Sequence, residues 1–139
     1  MMSKQETLKV LNSLRKNTLM ETLAIEYIDV GDDYLIATMP VNKRVHQPDG
    51  VLNGGATMAL AESVGSPISM LIIDNEKFVV RGIEFSANHL SSIKNGIVTA
   101  TATFIHKGRT THLIEIKVTD EADKLISICK LTNIILPKI

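Results

Sequence analysis

Polar and apolar positions change period along this chain. Between residues 4 and 15, Leu8, Leu11 and Leu14 recur at helical spacing with charge on the other face, which predicts a short amphipathic helix. Two apolar-rich runs follow, Leu23 to Val30 and Tyr34 to Val41, joined by Gly31-Asp32-Asp33, a hairpin signal. Asn42 to Leu52 shows no period and holds the Pro48-Asp49-Gly50 turn, so it reads as a loop. From Gly54 to Ile73 the residues are small or apolar, and Glu62 is the only charge. Beyond Phe78 the period becomes two. Phe78 to His89 is long and rich in β-formers, and Asn95-Gly96 marks a turn. Ile97, Thr99, Thr101, Thr103 and Ile105 alternate with Val98, Ala100, Ala102 and Phe104. After a turn at Lys107-Gly108, Thr110, His112, Ile114, Ile116 and Val118 alternate with Leu113, Glu115 and Lys117, and a last strand runs from Leu125 to about Leu136.

The apolar segment from Gly54 is long enough to span a bilayer. It carries Thr57, Ser63, Ser66, Pro67 and Ser69, and no basic flank follows, so a helix enclosed by protein is the better reading. Asn53 is a good N-cap, because its side-chain oxygen can accept from the first free backbone N–H groups. The helix should end around Asp74-Asn75-Glu76, and Pro67 should kink it or split it. The order is therefore helix, two strands, buried helix, then about four strands. That predicts an α+β fold over residues 1–139 as one domain, an antiparallel sheet with an apolar helix laid against it. A sheet curved around the helix would let the helix be apolar on nearly every side.

Charge narrows the function. Lys plus Arg and Asp plus Glu each number 15, a balance that argues against a nucleic-acid or membrane-surface partner. The N-terminus lacks the apolar core of a signal peptide. The single cysteine, Cys129, rules out an internal disulfide and fits a reducing, cytoplasmic setting. It reads as a small apolar strand residue rather than a nucleophile. His46, His89, His106 and His112 do not form a spaced metal motif, and no Gly-x-Ser-x-Gly elbow is present, so neither a metal nor serine-hydrolase chemistry is expected.

Glu62 stands out in so apolar a stretch. An ionised, unpaired carboxylate in such a place costs several kcal/mol when buried. It is either structural, bonded to Ser66 or to nearby backbone, or catalytic. Ser66 lies one turn on, on the same helix face. The helix start offers unpaired N–H groups and partial positive charge, and Gly54 and Gly55 would let a ligand approach them closely. Such a start suits a polarised carbonyl. The same glycines would also serve tight packing against a strand. Gly54 and Glu62 are eight positions apart, or ~12 Å along a straight helix. One carbonyl cannot touch both at contacts of about 3 Å. Either the two features serve different ends or the second comes from another copy of the chain, with antiparallel helices across a two-fold axis. We therefore expect a dimer with sites at its interface.

The stretches QPDGVLNGGATMALAESVGS, GIEFSANHL and FIHKGRT resemble hotdog-fold acyl-CoA thioesterases, in which an antiparallel sheet wraps a long central helix. The likeness covers about Leu8 to Leu136. It is strongest to the branch of 1,4-dihydroxy-2-naphthoyl-CoA hydrolase and the glutamate-dependent 4-hydroxybenzoyl-CoA thioesterases. It implies hydrolysis of an acyl-CoA, with Glu62 as nucleophile or general base and the Gly54 N–H polarising the thioester carbonyl. Gln47 would assist leaving or orientation, and Ser66 would help place the attacking water or the acyl ring. Asn53 stands where the family often has His; its amide can donate to an oxygen but cannot become cationic. CoA contacts are implied at Gly82, at His89, Leu90, Ser91 and Ser92, and at His106, Lys107, Gly108, Arg109 and Thr110. Some relatives carry a basic residue where this chain has Ser91; Lys107 and Arg109 would supply that charge. The resemblance further implies no cofactor, and a homodimer with shared sites that pairs into a dimer of dimers. The alternatives on the same fold are a non-catalytic acyl-CoA-binding protein and a hydratase, the latter needing a paired His and acid, for which His46 is the nearest histidine.

Overall fold

A computed structural model describes all residues, 1–139. Helix α1 spans Lys4–Ser13 and is closed at its start by a capping box between Ser3 and Glu6. A second helix, α2, is a single turn at Leu19–Thr22. Strands β1 (Glu26–Val30) and β2 (Tyr34–Val41) form the expected hairpin. Helix α3 is Gly54–Met70. Four strands follow: β3 (Phe78–His89), β4 (Gly96–Lys107), β5 (Thr111–Thr119) and β6 (Leu125–Pro137). They make one antiparallel six-stranded sheet in the order β1-β2-β4-β5-β6-β3. Bulges in β1, β3 and β4 increase the local twist, and the sheet curves around α3. This is the hotdog arrangement.

The core lies between α3 and the concave face of the sheet. Leu60, Val64 and Ile68 of α3 meet Ala37, Met39, Val98, Ala100, Ile114, Ile116 and Leu131, all essentially without solvent exposure. Small residues set how closely the helix can lie. A Cβ on Gly65 would come 2.7 Å from Leu131 Cδ2 and 3.2 Å from Ile116 Cδ1. Any larger residue there would push α3 off the sheet. Asn12 ties α1 to β1 by exchanging hydrogen bonds of 2.9 Å with the backbone of Tyr27.

Pro67 does not break the helix. α3 runs through it without interruption to Met70 and stops there, short of Asp74, whose segment forms the following turn instead. Proline has no N–H, so the Ser63 carbonyl loses its normal partner four residues on. The Tyr27 hydroxyl donates to that carbonyl at 2.5 Å, from thirty-six positions away in the chain. Burial raises the pKa of this phenol, keeping it a donor at neutral pH. Other expectations also change. Leu23 belongs to the end of α2, not to a strand, and β1 starts only at Glu26. Asn42 to Leu52 holds a 3-10 turn at Lys43–Val45 and a bridge between His46 and Leu52. Nor is α3 covered on nearly every side: Gly55, Glu62 and Met70 are exposed within one chain.

Replacing Tyr27 by Phe should destabilise the fold by about 1–2 kcal/mol, since it strands a half-buried carbonyl. In a Pro67→Ala background, where residue 67 again donates to Ser63, the same change should cost clearly less. Urea unfolding of the four variants as a double-mutant cycle measures the difference.

Candidate active site

Asn53 caps α3 as its sequence suggests. Its side-chain oxygen accepts from Gly55 N at 2.7 Å. The Gly55 N–H is thereby used, and the Gly54 N–H is left without an acceptor in the chain. Of the two glycines, Gly54 is the one that can serve a ligand. The space beside it is not open on all sides. A Cβ on Gly54 would come 2.8 Å from His89 Nε2, so the glycine is also what lets the imidazole approach the helix start. His89 is held from behind by the buried hydroxyl of Ser127, with Nδ1 2.7 Å from Oγ. Gln47, Gly54, Thr57, His89, Leu90, Ser91, Ser92 and Ser127 line one cavity of about 320 Å³. The Gln47 amide nitrogen donates to Asp49 at 2.8 Å and keeps one further N–H for a ligand. His46 is turned away, its Nε2 2.6 Å from the Lys94 carbonyl.

Glu62 lies elsewhere. It is exposed and makes no hydrogen bond to Ser66 or to backbone, and no ion pair. The burial penalty expected from its apolar surroundings does not arise within one chain. Its Oε2 is 3.4 Å from where a Gly82 Cβ would sit, so the carboxylate rests against the bulge of β3. Ser66 is half-buried one turn further along α3. The third group of residues is at the β4–β5 turn. Lys107 Nζ sits 4.7 Å over the Phe104 ring. Arg109 and Thr110 line a separate cavity of about 370 Å³ with Ile73, Asp74, Phe78, Ile135 and Pro137. Gly108 is required there, because a Cβ would come 2.6 Å from the Thr111 carbonyl oxygen. One chain thus brings Gln47, Gly54 and His89 to Ser92 together. It leaves Glu62, Ser66 and Gly82 in a second place and His106 to Thr110 in a third.

Sequence reasoning missed a buried polar row beside Glu62. In the sheet, Gly82 of β3, Asn133 of β6 and His112 of β5 are direct neighbours. Asn133 Nδ2 donates to the Gly65 carbonyl and to Ser69 Oγ, both at 2.9 Å. Ser69 Oγ is 2.9 Å from His112 Nδ1. The hydroxyl accepts from Asn133, so its own hydrogen is free for His112, which then carries its proton on Nε2. Burial lowers the pKa of His112, as do nearby His106 and Lys107, against a hydrogen bond to the Gly108 backbone. Asn133 Oδ1 has no partner at all. A buried acceptor left so costs about 1–3 kcal/mol. The signal for this row lay in strand parity, since His112 and Asn133 alternate in step with apolar inward residues.

A curved antiparallel sheet around one central helix places the chain in the hotdog class. The chain belongs to the family described as the thioesterase superfamily, whose pattern matches residues 49–127. It is a thioester hydrolase of the acyl-CoA thioesterase family. It is 41% identical over 130 residues to the proofreading thioesterase EntH of Cronobacter turicensis, covering 94% of each chain. It is 39% identical over 130 residues to the 1,4-dihydroxy-2-naphthoyl-CoA hydrolase of Escherichia coli, covering 94% of this chain and 95% of that one. The crystal structure of a mutant thioesterase PA1618 from Pseudomonas aeruginosa superposes with a TM-score of 0.92 at 41% identity, covering 94% of both chains. No helix is long and apolar enough to cross a membrane.

The lowered pKa of His112 has a consequence for stability. The unfolded chain binds this proton near pH ~6.5, while the folded chain binds it only at lower pH. Folding stability should therefore fall as pH drops below about 6.5 and be insensitive to this group above it. His112→Gln should flatten that dependence, seen as a smaller drop in thermal midpoint between about pH 7.5 and 5.5 than in the unaltered protein.

Proposed function

We propose that the protein hydrolyses an aromatic or medium-chain acyl-CoA to the free acid and CoA, with 1,4-dihydroxy-2-naphthoyl-CoA a leading candidate substrate. The observation that carries this is the division of α3. Its start offers a free N–H, at Gly54, into a cavity shared with Gln47, and its middle offers one exposed carboxylate, Glu62. The thioester carbonyl accepts from Gly54, and the positive end of the helix stabilises the oxyanion that develops. Glu62 either attacks the carbonyl or takes a proton from the attacking water. Ser66 helps place that water or the acyl ring. Asn53 is committed through its oxygen to the cap, and its NH2 is free to donate toward the substrate.

The site is completed by a second copy of the chain. β3 is an edge strand of twelve residues with an unpaired outer side and an exposed Ile83, a form that soluble proteins rarely leave uncovered. Glu62 faces that same strand. Two copies joined there would run their central helices antiparallel and set Glu62 of each near the Gly54 of the other. Such dimers would pair again into tetramers. The CoA portion would run over Gly82, His89 to Ser92, and the His106 to Thr110 turn. Arg109, free of any ion pair, is suited to a phosphate.

Assay of aromatic and aliphatic acyl-CoAs with a thiol reagent tests the substrate class; an absence of CoA release across the panel would defeat the reading. Glu62→Gln should lower kcat by about 10³-fold or more with KM little changed. Gly54→Pro removes the N–H at a helix position that proline tolerates, although its ring must displace the tip of His89. Each variant alone should be inactive. Mixed by refolding, they should recover up to about a quarter of normal activity, because half the dimers are mixed and each mixed dimer holds one intact site. No recovery from a mixture in which both variants fold would overturn the shared-site reading.

A further inference from the structure

We propose that Asn133 is a positioning residue for the nucleophilic water, holding the hydrogen that Glu62 does not take. This rests on the reading of Glu62 as the acid–base group and commits it to the water route.

Asn133 is fully buried, and both of its amide hydrogens are used, one on the Gly65 carbonyl and one on Ser69 Oγ. Those two bonds fix the rotation of the amide, because a flip would set its oxygen against the Gly65 carbonyl. Ser69 is held in turn by His112. The Asn133 carbonyl oxygen is therefore aimed by three other groups, yet it is the one buried side-chain polar atom without a partner. Its direction is informative. It lies 3.7 Å from the point that a Cβ on Gly82 would occupy, and Glu62 Oε2 lies 3.4 Å from that point. Two acceptors thus converge beside one patch of backbone that carries no side chain, with Leu131 Cδ1 3.2 Å from the same point. Neither an ionised carboxylate nor an amide oxygen can donate, so the two cannot bond each other. A molecule with two hydrogens can donate one to each, and water is the smallest that does so, in bonds of ~2.8 Å. Gly82 and Glu62 are exposed in the single chain, which opens the Glu62 side of the patch to water, while Asn133 Oδ1 meets the patch from the buried side.

A water held by both hydrogens presents its lone pair to the remaining side, where the thioester would lie. On attack, the water oxygen bonds to the carbonyl carbon, and the carbonyl electron pair moves onto the oxygen held at Gly54. One hydrogen passes to Glu62, and the other stays on the new hydroxyl, still bonded to Asn133. Collapse breaks the C–S bond, and the thiolate leaves with the electron pair and takes up the proton from Glu62. Atoms and charge balance without any added reagent. Fixing both hydrogens orients the nucleophile without tightening the hold on the acyl-CoA, so its effect belongs in kcat.

The test uses the full-length assembled protein and the best acyl-CoA from the panel. Asn133→Leu keeps the volume and removes the acceptor, and kcat should fall about 10- to 100-fold with KM within about twofold. With hydroxylamine present, the variant should lose hydrolysis more than hydroxamate formation, so the product ratio should shift toward hydroxamate. A protein that was merely part-folded would lose both equally. Gly82→Ala, whose methyl would fill the shared space, should produce the same shift, and it keeps the question answerable if Asn133→Leu does not fold. A high-resolution crystal structure should show one water bonded to both Glu62 and Asn133, lost in Gly82→Ala. Full turnover and an unchanged product ratio in Asn133→Leu, or a crystal structure with no such water, would overturn the assignment of Asn133. If Glu62→Gln itself kept normal turnover, the reading of the site would fall instead.

Discussion

An α-helix rises 1.5 Å per residue, and that fixed pitch governs the chemistry of this protein. α3 carries both of the groups that the proposed reaction uses, a free N–H at Gly54 and a carboxylate at Glu62. Eight positions hold them ~12 Å apart, too far for one carbonyl. No bend relieves this, because the one residue that could kink α3, Pro67, lies beyond both and leaves the helix whole. The pitch therefore makes the second protomer a chemical requirement of the proposed site, not an addition to it. In the proposed dimer β3 can be long, exposed and apolar at Ile83 without being a hazard, because the edge that would invite aggregation is the one the second copy covers.

A helix that must carry polar groups on one face and pack tightly on the other needs the sheet to accommodate it. The contact face is Leu60, Val64, Gly65 and Ile68, and Gly65 sets the distance. Close approach brings the Gly65 carbonyl within reach of Asn133 and Ser69 within reach of His112. Packing and the polar row are thus one feature. If Gly65 were larger, the core would lose dispersion contacts and the row would lose its geometry together.

The sequence made much of this legible. Period-2 alternation located β4 and β5, because each has one face on the core and one toward solvent, and richness in β-formers marked β3. The Asn53 cap was readable from local chemistry alone. Features that depend on distant partners were not. Pro67 looked like a break because its compensating donor, Tyr27, sits on β1. α2 has a single turn, too short for any period to show. Glu62 looked buried because its neighbours in sequence are apolar, whereas a helix lying on a sheet still has an outer face. Asn133 stood in plain view at an inward position of LTNIILP, but parity alone does not say what an inward amide bonds to. The meeting of His89 with Gly54 joins segments thirty-five positions apart and has no local signal.

The cap of α3 decides how many donors the proposed oxyanion can find. A helix start has four N–H groups without helical partners. Here the Asn53 N–H bonds the Val45 carbonyl and Asn53 Oδ1 takes the N–H at Gly55, which leaves those of Gly54 and Ala56 without acceptors in the chain. Gly54 is left free by the same residue that occupies its neighbour. A serine or aspartate at position 53 would cap equally well, but neither would also keep an NH2 group free beside Gly54 in the chain. Asparagine therefore does two jobs at once, with its oxygen turned into the helix and its nitrogen free to face outward. The choice of an uncharged amide follows from that geometry. A histidine at the same place could be cationic and strengthen the pull on the carbonyl, while a neutral amide relies on the Gly54 N–H and the helix end for that field. In the proposed site the field on the oxyanion would thus come chiefly from backbone dipoles, with the neutral Asn53 amide adding a hydrogen bond and no charge.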